Sequence, residues 1–196
     1  MPKPRANSAV ELTDPVALRA YAHPVRMRLV GLLRREGAVT ATQAAGILGE
    51  SVPTCSFHLR QLARYGLVER APGADARERP WRATALSTRW GHASADAETQ
   101  AAIDHLDAVL MRQYYERAVR WLEGRDRESA AWRATTGPSD ALLFVTPREL
   151  TELLRKFDAL VEEYLPRRTD PAARPRGARP VNIAQFVITL DESARS

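Results

Sequence analysis

Cysteine occurs once in this 196-residue chain, at Cys55. A single thiol forms no internal disulfide and no cysteine-rich zinc module, so stability has to come from packing. Long apolar runs are also missing. No stretch approaches the roughly 18 residues of a membrane span, and the opening MPKPRANSAV lacks the apolar core of a secretory signal. The chain is therefore read as soluble and cytoplasmic, with no membrane partner. Of the 29 basic residues only Lys3 and Lys156 are lysines, and histidine occurs four times. No G-x-G-x-x-G, phosphate loop, H-E-x-x-H or G-x-S-x-G motif is found. Without those, no cofactor and no enzymatic activity are expected.

What is present is an ordinary apolar content, 44%, enough for one domain or two small ones. Charge is unevenly placed. Residues 1–90 hold 14 Lys and Arg against 7 Asp and Glu, net +7, whereas residues 91–196 hold 15 against 17, net −2. A localised basic excess suits a polyanion, because neutralised phosphates release condensed counterions. It equally suits a basic face that meets an acidic protein, or a surface that is merely solvated.

The basic half divides into short helices. Asp14 and Pro15 form a start signal, an N-cap followed by proline at the first helical position. That helix stops before His23-Pro24, where a second begins, with Val25, Leu29, Leu32 and Leu33 at helical spacing and Gly37 at its end. Thr40 and Gln43 form a capping box ahead of a third helix carrying Ala44, Ile47 and Leu48. Gly49 closes it, and after a short link Pro53 sits in the first turn of a fourth helix running to Gly66. Two helices joined by so short a turn make a helix-turn-helix, whose second helix can enter the major groove. Residues 67–71 and 81–86 then read as strands around the turn at 72–75, a hairpin whose tip carries Arg77, Arg79 and Arg82.

The segments LRAYAHPVRMRLVGLLRREG and TATQAAGILGESVPTCSFHLRQLARYGLVER, with the hairpin after them, resemble the winged-helix domain of the ArsR-type bacterial transcriptional regulators. The run from His23 to Leu29 resembles that family's entry to its second helix. Ser56, His58, Leu59 and Leu62 followed by Gly66-Leu67-Val68 resemble its recognition helix and first wing strand. The likeness spans residues 12–88 and implies a dimeric regulator that binds double-stranded DNA, most often a repressor.

Helical geometry sorts the recognition helix. At roughly 100° per residue Cys55, Leu59, Leu62 and Gly66 share one narrow face, the core face, while Ser56, Phe57, Arg60, Gln61 and Arg64 project opposite. His58 falls on the border. Cys55 then packs as a small hydrophobe, and His58 is a boundary residue placed to touch backbone or phosphate. The expected DNA-contacting set is Thr54, Ser56, Phe57, His58, Arg60, Gln61 and Arg64, with Arg77, Arg79 and Arg82 from the wing. The competing reading is a metal- or redox-responsive sensor acting through Cys55 and His58. The family's thiolate sensors need at least two cysteines, and its carboxylate and histidine sensors place ligands on the helix after the wing. Here that helix offers Asp104, His105 and Asp107 without a second histidine, so no metal site is assigned.

The C-terminal half begins with a long helix over 97–123, with Ile103, Leu106, Leu110, Tyr114, Ala118 and Trp121 on one stripe. In the family the helix after the wing pairs with its mate and with the first helix, which implies a homodimer through residues 12–22 and 97–123. The stripe could equally cover its own core. Leu142–Val145 and 181–190 read as strands able to pair, and between them Thr146, Pro147 and Glu149 start a regular amphipathic helix. Residues 166–180, rich in Pro, Arg and Gly, read as a mobile loop. TPREL and GARPV here also resemble the C-terminal extension of actinobacterial regulators of this type. Trp121, Trp132, Phe157 and Tyr164 could line an apolar pocket for a small-molecule effector, or be plain core. The expected architecture is mainly α with α+β elements: a disordered 1–11, a winged helix-turn-helix over 12–90, and a dimerisation and effector region over 91–196 made of the long helix and a small α/β lobe.

Overall fold

A computed structural model of the protein describes residues 9–72 and 79–190. It is mostly helical with little sheet. Strand β1 (Ala9–Leu12) leads into α1 (Pro15–Tyr21), α2 (Pro24–Glu36), α3 (Ala41–Leu48) and α4 (Val52–Arg64). Strands β2 (Val68–Arg70), β3 (Trp81–Ala83) and β4 (Ser87–Trp90) follow, then the 28-residue α5 (Ala97–Gly124). Beyond a 3-10 turn come α6 (Ala130–Thr135), α7 (Pro147–Glu162) and α8 (Pro166–Thr169), with a second 3-10 turn at Pro171–Ala173. Among the described residues no helix is long and apolar enough to cross a membrane.

Local chemistry sets the helix ends. Asp14 accepts from the amides of Val16 and Ala17 at 3.2 and 3.3 Å, satisfying donors that the first turn of α1 leaves free. His23 does the same for α2, its Nδ1 accepting from Val25 N at 3.2 Å. Thr40 and Gln43 complete the capping box of α3, and Ser51 caps α4 by accepting from Thr54 N at 3.1 Å. Gly49 ends α3 in the left-handed region, at φ 68°, where a Cβ would be strained. The chain therefore turns from α3 into α4 over three residues, 49–51.

The core lies entirely within residues 12–106. Leu18 and Tyr21 of α1, Leu29, Val30, Leu32 and Leu33 of α2, Ala44 of α3 and Leu59 and Leu62 of α4 close on Val68 and Trp81 of the hairpin. Ala102, Ile103 and Leu106 of α5 complete it against α1. Arg28 reaches from α2 to Glu50 and to the Leu48 carbonyl, pinning the α3–α4 turn. Arg34 bonds the Ala85 carbonyl at 3.0 Å and the Thr88 hydroxyl at 2.7 Å, tying α2 to the base of the hairpin. The hairpin pairs antiparallel with Val68 opposite Ala83, Glu69 opposite Arg82 and Arg70 opposite Trp81, and Val39 bridges to Trp81.

Several expectations need correction. The segment read as disordered, 1–11, contributes β1, which pairs in parallel with β4 from Ala9 opposite Ser87 to Leu12 opposite Trp90; residues 1–8 lie outside the described residues. The small α/β lobe does not form. Residues 142–145 and 181–190 are extended but unpaired, so the C-terminal half is helical with no strand among its described residues. The loop read as mobile at 166–180 contains α8 and a 3-10 turn. After Leu106 no described residue is buried, so the long stripe on α5 covers its own core only at its start.

Candidate nucleic-acid interface

Four side chains of α4 turn inward: Cys55 and Leu59 at 0% exposure, Leu62 at 1% and His58 at 8%. The opposite face is open. Phe57 is half exposed, Arg60 and Arg64 are exposed, and Ser56 and Gln61 are half-buried. Neither Arg60 nor Arg64 has an acidic partner among the described residues. Thr54 is partly committed to the cap, its hydroxyl 2.7 Å from that of Ser51.

His58 departs from its expected place. Helical periodicity puts it at the rim, yet its ring stacks on His23 with centroids 4.5 Å apart and meets Phe57 edge-on at 5.2 Å. It is a buried support beneath the face, and its Nδ1 and the nearby Arg26 Nε have no hydrogen-bond partner among the described residues. Burial, then the adjoining His58, Arg26 and Arg28 charges, holds His23 below the usual histidine range, with Glu50 opposing; burial and Arg26 do the same to His58. Cys55 is enclosed, and burial pushes its thiol up, away from the reactive thiolate. Among the described residues no three His, Cys, Asp or Glu side chains gather as a metal site would need.

The hairpin's cations divide into three cases. Arg77 lies outside the described residues. Arg79 is exposed at the return of the hairpin. Arg82 sits in β3 rather than at the tip, and its guanidinium pairs with Glu69 across the ladder at 2.7 Å. Sequence reasoning passed over Arg70, which the structure places between α4 and the hairpin. Its guanidinium lies 3.8 Å from the Trp81 ring centroid and donates to the Arg79 carbonyl, and the charges of Arg79 and Arg60 act on it. Alternation along β2 was the available signal, since it sets Arg70 two residues from the buried Val68, and the ladder places it opposite Trp81.

Residues 21–71 match the model of a helix-turn-helix domain. The match runs from the end of α1 through β2 and so spans both helices of the motif and the strand that follows. No curated protein matches the chain. A helix-turn-helix domain with an open, basic second helix is a DNA-binding element, and it assigns the chain to DNA-binding regulators in the broad sense.

The aromatic set of the C-terminal half is not drawn together. Trp121, Trp132 and Tyr164 each carry an arginine over the ring, from Arg125, Arg179 and Arg167 in turn, and no ring contact joins them to one another or to Phe157. The open groove at the start of α7, lined by Thr146, Arg148, Glu149, Glu152, Leu153 and Lys156, contains none of them. Neither does the small cleft between Leu12, Leu18, Gly91 and Ile103.

Proposed function

We propose that the chain is a cytoplasmic, dimeric, sequence-specific regulator of transcription of the ArsR type, acting as a repressor released by a small-molecule or other signal, and not an enzyme. The observation that supports it is the outward face of α4, where Phe57, Arg60 and Arg64 stand clear of the core with Arg70 and Arg79 beside them. In this reading Ser56, Phe57, Arg60 and Gln61 meet base edges in the major groove, and Arg64 with the wing arginines meets phosphates. The DNA-binding unit over 12–90 borrows Ala102, Ile103 and Leu106 from α5, and the remainder of α5, with α1 at its side, faces a second copy. Met111, Tyr115 and Leu122 on α5 and Val16 on α1 are exposed large apolar residues there.

Duplex titrations at several salt concentrations test the assignment. If Arg60 reads a guanine, Arg60→Ala costs about 1–3 kcal/mol and relaxes specificity at that position. Arg64→Ala weakens all sequences alike and lowers the salt slope by about 1. Unchanged binding in the double variant would sink the interface, and negligible affinity for any duplex at physiological salt would point to an acidic protein partner.

A further inference from the structure

Of the four arginines on α2, three are committed. Arg28 goes to Glu50 and the Leu48 carbonyl, Arg34 to Ala85 and Thr88, and Arg35 to Glu36. The fourth, Arg26, has neither a hydrogen bond nor an acidic partner among the described residues. Its Nε is covered, although the residue as a whole is only half-buried. Burial draws its pKa below the ordinary arginine range, with Tyr65 opposing. A guanidinium so placed has given up water without gaining a counter-charge, which is costly until an anion supplies one.

Arg26 stands one turn after His23, whose ring lies on His58 of α4 with centroids 4.5 Å apart. Its charge acts on both rings, and Tyr65 acts on it in turn. His58 and Tyr65 are two turns apart on one side of α4, so the arginine lies along that side. With Phe57 taken as the middle of the outward face, they stand about 80–100° round the helix in one sense and Arg60 about 60° in the other. The charge of Arg60 reaches Arg70, which donates to the Arg79 carbonyl. The outward face of α4 is thus bordered by arginine on both flanks, Arg26 on one and Arg70 with Arg79 on the other.

A helix ~10–12 Å across with its side chains fills a major groove about 12 Å wide, so each flank meets one of the two phosphate strands that wall it. We infer that Arg26 binds a backbone phosphate of duplex DNA, on the strand across the groove from the one that Arg70 and Arg79 meet. The inference rests on the regulator reading above and adds a contact from outside both the helix-turn-helix pair and the hairpin. A phosphate, and not a base edge, follows from the covered Nε, which holds the head of the side chain at the flank, short of the outward face. Glu50, the acid whose charge reaches both histidines, is held by Arg28 and does not compete. The two rings, kept below the usual histidine range first by burial, are uncharged near neutral pH, so the site offers the phosphate a single positive charge.

Titration of a random-sequence duplex with the full chain at several salt concentrations tests it, with circular dichroism and urea midpoints taken on each variant. Arg26→Gln should lower the salt slope by ~0.9, which amounts to about eightfold in affinity at about 0.1 M salt referred to about 1 M. Arg26→Met, which keeps the apolar stem, should do the same if glutamine disturbs the fold. Arg26→Lys should restore the slope, because an ammonium serves a phosphate as a point charge. Arg26→Gln combined with Arg70→Ala should lower the slope by ~1.8, the two contacts being independent. A wild-type slope in Arg26→Gln, a loss of affinity equal at every salt concentration, or a slope that lysine does not restore overturns the inference. So does a double variant no weaker than Arg70→Ala alone, which would put both arginines on one phosphate. Each of these leaves the regulator reading standing, whereas a wild-type chain without affinity for any duplex overturns both.

Discussion

Replacing His23 by asparagine separates two duties of one side chain. Its Nδ1 closes the N-terminus of α2 by accepting from Val25 N, which requires an unprotonated nitrogen. Its ring also lies against His58, and both are held below the usual histidine range by burial and by Arg26, with Glu50 opposing. A histidine whose folded-state pKa lies below its unfolded value takes up its proton mainly on unfolding. Its contribution to stability is therefore whole above about pH 6.5 and is lost as the pH falls from there through the folded-state value. Inside that window each group contributes at most ~1.4 kcal/mol per pH unit, so the slope of the pair lies below ~2.7 kcal/mol per unit. His23→Asn keeps a good capping acceptor and does not titrate, so stability near neutral pH stays within about 0.5 kcal/mol while the slope falls by half. His23→Ala halves the slope as well and loses about 1 kcal/mol at neutral pH, because the Val25 amide is left without its acceptor. Urea unfolding between about pH 7.5 and 5 reads both quantities. An asparagine variant that keeps the full slope would refute the coupling of His23 to folding.

Other consequences are read by simple measurements. Leu59→Ala, at a site with no exposure, costs about 2–5 kcal/mol of unfolding free energy, seen as a lowered urea midpoint. Cys55 in the native protein reacts with a thiol reagent only as fast as the domain opens, and rapid labelling would contradict its enclosure. Arg70→Ala removes the stack on Trp81 and weakens every duplex to a similar degree, lowering the salt slope by about 1 in gel-shift titrations. Gly49→Ala forces a side chain into the left-handed region and costs about 1 kcal/mol or more, again by urea unfolding.

The helix-turn-helix was readable because its signals are local. Asp14, Thr40 and Pro53 announce helix starts within three residues, Gly49 announces a stop, and the inward turn of Cys55, Leu59 and Leu62 follows from helical spacing alone, while the Ser51 cap of α4 emerged only from the structure. His58 was misplaced for the opposite reason: what covers it is His23, 35 positions earlier in the chain and on another helix. The pairing of β1 with β4 joins residues far apart in sequence, so no local pattern announces it. Arg82 was read as a tip residue because the register that sets it opposite Glu69 depends on where the turn falls. The strands expected at 142–145 and 181–190 show how far β-propensity depends on a partner: the residue types favour a sheet, but within one chain the two segments do not meet.

The anchoring of α5 at one end has a mechanical consequence. Its buried residues stop at Leu106, and the 18 residues from there to Gly124 extend ~27 Å further along the axis. A tilt of about 5° at that pivot carries the far end through ~2.4 Å on this geometry. The helix is thus a lever hinged on the domain that holds α4, and leverage works in both directions. Recognition helices seated in successive major grooves must stand about 34 Å apart. In the dimer proposed above, a few degrees imposed on the long arms would shift the paired recognition helices relative to the grooves.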